Sequence, residues 1–152
     1  MPPSARPVGA CFRIALFLCG CFLAGSLAGC GSGEPFSYVP VSGKVTYADG
    51  TPIPAKLKLI FIAVNPPTAD AGTVPKPGAA ITNSDGTFDA VTSHTYGDGL
   101  IPGKHKVVLT VSTGRGGEST TDLFGPEYSD PNKTPIEVDT ANLPMEIKVK
   151  KP

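Results

Sequence analysis

The sequence predicts an all-β domain, a single antiparallel β-sandwich of about seven short strands, behind an N-terminal segment of a different character. Three observations favour this fold. Apolar and polar residues alternate along most of the chain after residue 37, with the period of two that half-buried strands show. The chain also contains 18 Gly and 17 Pro among its 152 residues, and these interrupt the pattern at short intervals. No stretch has helical periodicity, so two stacked sheets are expected to bury the apolar faces.

The alternation divides into seven segments that turn residues separate. They are residues 38–47, 56–64, 79–82, 87–91, 104–111, 136–138 and 145–150. In the last segment Met145, Ile147 and Val149 are expected to face the core, with charged residues between them. In the second segment, Ile60 and Val64 lie opposite an apolar face, which predicts a strand whose distal half is buried on both sides.

Two connections carry the sequence chemistry of specific turns. Asn83-Ser84-Asp85-Gly86 separates two strand segments and predicts a hairpin in which Gly86 adopts a positive φ. Pro102 and Gly103 suit the two central positions of a type II turn. Short strands joined by such turns are typical of an Ig-like or transthyretin-like sandwich.

The first 29 residues have the organisation of a secretory signal, with a basic start and an apolar run over residues 14–27. Leu27-Ala28-Gly29-Cys30 resembles a bacterial lipobox, which implies cleavage between Gly29 and Cys30 and lipidation of Cys30. A plain secretory signal and a transmembrane helix are the alternatives. The apolar run is shorter than the roughly 20 residues of a membrane span, which disfavours the helix.

These features divide the chain into a lipoprotein signal peptide (1–29), a lipidated cysteine with a flexible tether (30–37) and a β-sandwich domain (38–152). Cys30 is expected to hold the domain to membrane lipid, since each buried acyl methylene contributes about 0.8 kcal/mol. The expected location is the bacterial cell envelope, at the outer membrane or facing the periplasm. The other three of the four cysteines lie in the signal peptide, so the domain is expected to fold without a disulfide.

The order of the turn motifs resembles that of a known family. Its pieces are Val41-x-Gly43-x-Val45-Thr46-Tyr47, Asp49-Gly50-x-Pro52-Ile53, Ile81-Thr82-Asn83-Ser84-Asp85-Gly86-Thr87-Phe88 and Ile101-Pro102-Gly103-Lys104-His105-Lys106-Val107-Val108. In these motifs the chain is similar to the carboxypeptidase regulatory-like (transthyretin-like) domain, in particular to small bacterial lipoproteins that carry one such domain. The resemblance implies a β-sandwich with an accessory or binding role, and it implies no catalytic residues.

Charge and residue content argue against several functions. The 13 basic residues less Arg6 and Arg13 of the signal leave 11 against 13 acidic ones, a formal charge of −2 for the mature part. Nucleic-acid binding needs a basic face, so no nucleic-acid partner is expected. His94 and His105 are the two histidines, and they lack further ligands at metal-site spacing. No serine lies in a nucleophile motif. We therefore expect no enzyme activity and no cofactor.

Acidic residues in the turns are weak candidates for calcium binding. Alternate connections of an antiparallel sandwich lie at the same end, which would gather Asp49, Asp85 and Asp130 there. Calcium takes several oxygen ligands from such loops. Asp is also an ordinary turn residue, and no Asp-x-Asp-x-Asp spacing is present. The stronger expectation is that the domain holds no metal.

Residues 112–134 form a long connection and the predicted place for partner binding, because long loops without regular structure are usually functional or disordered. Leu123, Phe124 and Tyr128 are the candidate contact residues; the alternative is that Phe124 and Tyr128 fold back to cap the core. The predicted function is that of a lipid-anchored, non-enzymatic interaction or structural module, whose partner is an envelope protein or a glycan. A carbohydrate-binding module and an accessory domain of a separate envelope enzyme are the alternatives.

Overall fold

A computed structural model describes residues 35–112 and 122–152. The predicted signal peptide, the predicted cleavage position at Gly29 and the predicted lipidation position at Cys30 lie outside the described residues, as do residues 113–121. The described residues belong to one compact unit.

The described residues form seven strands, close to the segments expected from the sequence. They are β1 (Gly43–Tyr47), β2 (Leu57–Ala63), β3 (Gly78–Ile81), β4 (Thr87–Phe88), β5 (Lys104–Val111), β6 (Glu137–Asp139) and β7 (Met145–Val149). Two short 3-10 helices, Asp70–Gly72 and Pro126–Ser129, lie in the connections before β3 and before β6. The predicted all-β fold class is confirmed, since apolar residues at period two between Gly and Pro turns form strands rather than helices.

The strands form a sandwich of two sheets. One sheet has three strands in the order β4–β1–β7, and the other has four in the order β3–β2–β5–β6. The longest pairing joins β2 to β5, antiparallel from Leu57 opposite Val111 to Ala63 opposite His105. Each sheet turns an apolar face inward, so both contribute to a common core.

One pairing differs from the wholly antiparallel arrangement that the sequence predicted. β1 and β7 run parallel, with Gly43 opposite Met145 and Tyr47 opposite Val149. The reason is the order of the strands along the chain. Each connection reverses the chain direction, so the first and seventh strands point the same way and can pair only in parallel. The other ladders join an odd-numbered strand to an even-numbered one, and they are antiparallel.

The core lies between the two sheets. The rings of Phe61 on β2 and Phe88 on β4 meet there, with 5.9 Å between their centroids. Met145, Ile147 and Val149 are all buried, as the alternation in β7 predicted. Side chains at period two therefore point to the same face along each strand, and the facing sheet covers them.

The outer face of β2 is less buried than expected. Ile60 is only partly buried, and Val64, just after the strand, is exposed. On this face the register places Ile60 between Ala79 of β3 and Val108 of β5. Neighbours within one sheet cover a side chain only in part, whereas the core face has a whole second sheet against it. The prediction of burial on both sides of β2 is corrected accordingly.

Candidate functional site

The aromatic residues proposed from sequence as partner contacts lie in the core. Phe124 is 0% exposed and Tyr128 is 2% exposed, and their rings meet edge to face with 6.0 Å between centroids. The Tyr128 hydroxyl accepts a hydrogen bond from the backbone N–H of Lys150 at 3.1 Å. This burial corresponds to the alternative expectation, that Phe124 and Tyr128 fold back to cap the core, and it leaves neither side chain accessible to a partner.

Leu123 also packs against the core rather than pointing to solvent. Its side chain is partly buried against the core cluster, and its carbonyl accepts a hydrogen bond from the Tyr47 hydroxyl at 3.0 Å. A sandwich is open at its ends, and large apolar side chains from a connection gain most free energy by filling that opening. Leu123, Phe124 and Tyr128 thus serve packing in this structure.

The candidate calcium residues remain in separate turns, beginning with Asp49. Its Oδ1 accepts hydrogen bonds from the N–H and hydroxyl of Thr51, at 3.0 and 2.7 Å. Its Oδ2 pairs with Lys151 Nζ at 2.6 Å. Lys151, followed by Thr51, holds the pKa of Asp49 well below its ordinary value. Both oxygens therefore already have partners from the protein.

Asp85 and Asp130 are engaged in the same way. Asp85 Oδ1 accepts hydrogen bonds from the hydroxyl and N–H of Thr87 at 2.6 and 3.0 Å, and the hydroxyl is the main cause that lowers the pKa of Asp85. Asp130 Oδ1 accepts one from the Asn132 N–H at 2.8 Å, the main cause that lowers the pKa of Asp130. Within residues 35–112 and 122–152, no group of three or more His, Cys, Asp or Glu side chains is placed to hold a metal.

A groove on the side of the sandwich is the candidate functional site. It lies at the edge of the four-stranded sheet along β3 and encloses about 400 Å³. We call it the Tyr96 groove. The lining residues that matter below are Lys58, Ala79, Ile81, Asn83, Asp89, Ala90 and Tyr96. Its volume is in the range of small-molecule sites.

The Tyr96 groove exists because two neighbouring chain segments separate. Ala79 and Thr92 exchange two backbone hydrogen bonds, at 2.8 and 2.9 Å, at one end of the groove. At the other end the Asn83 N–H donates to the Thr87 carbonyl at 2.7 Å. Between these points the chain after the hairpin leaves for the other sheet, where Thr87 pairs with β1. The two segments therefore part and enclose a space.

Ile81 presents backbone polar groups to this space. The Thr82 N–H donates to the Leu57 carbonyl at 2.9 Å, so the alternation of the strand turns the N–H and C=O of Ile81 away from β2. A regular ladder would pair Ile81 with Ala90, two residues before Thr92. No such hydrogen bond is present in the described part of the chain. Among residues 35–112 and 122–152, no hydrogen-bond partner is present for the Ile81 N–H or C=O, and Ile81 lines the groove.

Tyr96 stands beside this space on a loop that Asp98 holds in shape. Asp98 Oδ1 accepts a hydrogen bond from the Ser93 N–H at 2.8 Å, and its Oδ2 accepts from the N–H groups of His94 and Thr95 at 2.8 and 2.9 Å. Burial alone would raise the pKa of Asp98, but hydrogen bonds from backbone N–H groups, chiefly these three, outweigh it and lower the pKa. The charged carboxylate therefore fixes the loop around Tyr96.

The side chain of Tyr96 is 93% exposed, and Ile81 across the groove is 60% exposed. Tyr is enriched at binding surfaces because its ring offers a large apolar area and its hydroxyl a polar contact. On a loop already held by hydrogen bonds, little further ordering is needed when a ligand binds. An exposed tyrosine of this kind is a suitable anchor for recognition.

Polar side chains complete the groove. Asn83 Nδ2 donates hydrogen bonds to Thr87 Oγ1 at 3.0 Å and to Asp89 Oδ2 at 3.2 Å. The side-chain oxygen Asn83 Oδ1 and the other Asp89 oxygen, Oδ1, take no part in these two hydrogen bonds. Lys58 lines the same groove and is exposed. The groove thus offers apolar area, hydrogen-bonding groups and one side chain of each charge.

Sequence reasoning did not find this site. The loop reads Ser93-His94-Thr95-Tyr96-Gly97-Asp98-Gly99, which is ordinary polar loop composition. One sequence signal could have indicated the shape of this loop. Asp98 precedes a glycine and lies three to five residues after Thr95, His94 and Ser93, a spacing at which one carboxylate can accept hydrogen bonds from several backbone N–H groups. The same composition occurs in loops that bind nothing, so it does not by itself predict a site.

Comparisons of the chain with protein-family models, with curated proteins and with solved structures find no match. Across residues 35–112 and 122–152, no helix is long and apolar enough to span a membrane.

Proposed function

We propose that this protein is a lipid-anchored, non-enzymatic binding module of the bacterial cell envelope, exported and held by lipid on Cys30, and that its β-sandwich presents the Tyr96 groove to a partner. The observation that carries the binding role is the 93% exposure of Tyr96 on a loop fixed by Asp98. We also propose membership of the carboxypeptidase regulatory-like lipoprotein group, on the turn motifs that resemble it.

The anchor is supported by the sequence. An apolar run over residues 14–27 precedes Leu27-Ala28-Gly29-Cys30, and seven residues separate Cys30 from Tyr38. A lipoprotein carries more than one acyl chain at this position, and two or more chains give stable membrane attachment. The short polar tether would keep the domain close to the membrane surface.

The binding role is supported by the contrast between Tyr96 and the buried aromatic residues. A fully exposed ring adds nothing to the core, and it leaves apolar area in contact with water. Few residues carry most of the free energy of binding at protein surfaces, and Tyr is prominent among them. An accessory role beside a separate envelope enzyme is compatible with the same surface, since it too requires a contact site.

The lipid anchor is tested in an exporting bacterium that produces the full chain and is grown in medium containing labelled palmitate. We expect the wild-type protein to take up label and to sediment with membranes, and Cys30→Ala to lose both properties. Cys21→Ala is the matched control, because it removes a cysteine inside the signal peptide and should keep the label. A wild-type chain without label would contradict the lipoprotein assignment.

The binding role is tested by photo-crosslinking in the same cells. A photoreactive amino acid replaces Tyr96 in one variant and Val74, an exposed residue of another loop, in the control. We expect a recurrent adduct from position 96 and none from position 74. Equal, diffuse labelling from both positions would contradict the assignment of the Tyr96 groove as a binding surface.

A further inference from the structure

We propose that the Tyr96 groove binds an acetamido sugar, the 2-acetamido pyranose unit of an envelope glycan. The inference rests on the proposed function and names the ligand class for the same site. It combines three features of the groove: an exposed aromatic ring, an apolar wall, and the backbone N–H and C=O of Ile81.

The ring of Tyr96 supplies a platform. One face of a pyranose ring carries mainly C–H groups, and such a face packs against an aromatic ring as other apolar surfaces do. Because the ring is 93% exposed, both its area and its hydroxyl are free of competing core contacts. Stacking on a held ring also requires little ordering of the protein.

The acetamido group complements the backbone groups of Ile81 and the apolar wall of the groove. Its C=O accepts a hydrogen bond from the Ile81 N–H, and a neighbouring sugar hydroxyl donates one to the Ile81 C=O; the strand register directs both backbone groups into the groove without a partner from Ala90. Its methyl group suits the small apolar wall made by Ala79 and Ala90. Pairing a backbone N–H that lacks a partner while placing a methyl against an apolar wall discriminates against analogues lacking the group.

The remaining groups favour a neutral, hydroxylated ligand. Asn83 and Asp89 provide oxygens that accept hydrogen bonds from sugar hydroxyls, and Lys58 provides a donor. The groove has one cationic and one anionic side chain, so it offers no net charge to an ionic ligand. Because hydrogen bonds close it at Ala79–Thr92 and at Asn83–Thr87, it suits a ring-sized group better than an added β-strand.

The test is calorimetric titration of the full lipidated chain in detergent micelles with three tetrasaccharides: β-1,4-linked N-acetylglucosamine, its de-N-acetylated form, and β-1,4-linked glucose. We expect the acetylated compound to bind, and the other two to bind at least about tenfold more weakly because Ile81 would lose its partner. Equal affinity for the three compounds would overturn the proposal.

Variants locate the binding. Tyr96→Ala should weaken binding about tenfold and Tyr96→Phe should retain it, since the ring and not the hydroxyl stacks. Ala90→Leu should abolish binding by filling the groove, whereas Val74→Ala, in another loop, should leave it unchanged. Binding that survives Ala90→Leu in a folded protein would overturn the proposal.

Failure of this inference and failure of the proposed function can be told apart. No binding of any tetrasaccharide, together with a single protein adduct from position 96, would overturn the sugar and leave a binding module for a protein. No binding together with no adduct from position 96 would overturn both.

Discussion

Two loops of this molecule carry aromatic residues beside glycine, and they use them in opposite ways. In the 122–130 segment, Phe124 and Tyr128 are buried, and they close one end of the sandwich. In the 93–99 loop, Tyr96 is 93% exposed, and a carboxylate fixes the backbone beneath it. The difference lies in what each loop passes over. The 122–130 segment packs its aromatic rings into the core between the sheets, whereas the 93–99 loop lies at the Tyr96 groove, beside the edge strand β3.

This comparison shows that a loop aromatic is not by itself a sign of function. Where an apolar cavity is available, the hydrophobic effect draws the ring inward, and the residue contributes to stability. Where the backbone is held by its own hydrogen bonds and the ring is kept out of the core, as at Tyr96, the ring remains in water. An exposed ring on a held loop is therefore the more informative feature for binding.

The largest expected effect is that of Phe124→Ala. Removal of a fully buried ring should lower the free energy of unfolding by about 3 to 5 kcal/mol, because it loses apolar contacts and leaves a cavity. Urea denaturation of the full chain in micelles, followed by tyrosine fluorescence, measures it. A loss below about 1 kcal/mol would show that the 122–130 segment does not cap the core.

An intermediate effect is expected for Asp98→Ala, which removes the acceptor of three backbone N–H groups. We expect a loss of about 1 to 3 kcal/mol in local stability, seen as faster amide exchange at residues 93–95. Asp70→Ala, an exposed acid in another loop, is the control and should leave that exchange unchanged.

The contribution of Asp98 also has a predictable pH dependence. Its pKa is lowered in the folded protein, so its stabilising effect is complete above the unfolded pKa of about 3.9. It is lost as the pH falls from there through the folded pKa. The readout is the protection factor, the exchange rate of an unstructured peptide divided by that of the protein at the same pH. Protection at residues 93–95 that fell with acid no more in the wild type than in Asp98→Ala would contradict this role.

The smallest effect on stability is expected for Tyr96→Ala. An exposed ring makes few contacts in the folded state, so the free energy of unfolding should change by no more than about 0.5 kcal/mol. The same denaturation measurement as for Phe124→Ala gives the direct comparison. A loss as large as that of Phe124→Ala would mean that Tyr96 is a packing residue and would remove it as a binding anchor.

Much of the fold is predictable from the sequence, and the site is not. The alternation of Met145, Ile147 and Val149 identifies β7, and Asn83 to Gly86 identifies the hairpin, where Gly86 has a φ of 84°. These are local patterns, and local patterns are what periodicity reports. The parallel pairing of β1 with β7 depends on which strands become neighbours, a property of the whole chain that no local pattern contains.

Whether an aromatic residue in a loop is buried or exposed is likewise not predictable from local sequence patterns. Phe124 and Tyr96 both lie in irregular segments, where no period tells inside from outside. Their burial depends on the opening at the end of the sandwich and on the course of the chain after β4. Likewise, Asp49 appears in sequence as one of several acids at one end, but Lys151 and Thr51 occupy its oxygens. Long-range contacts of this kind explain why the burial of Phe124 and the pairing of the Asp49 oxygens do not follow from local sequence patterns.

The proposed role of Tyr96 is tested most directly by tyrosine nitration in two settings, with mass spectrometry to quantify each tyrosine. In purified full-length protein we expect fast nitration of Tyr96 and protection of Tyr47 and Tyr128, which are buried. In intact envelopes from cells that make the protein, we expect nitration of Tyr96 to be strongly slowed because a partner covers the groove. Equally fast nitration of Tyr96 in both settings would contradict its role as the binding anchor.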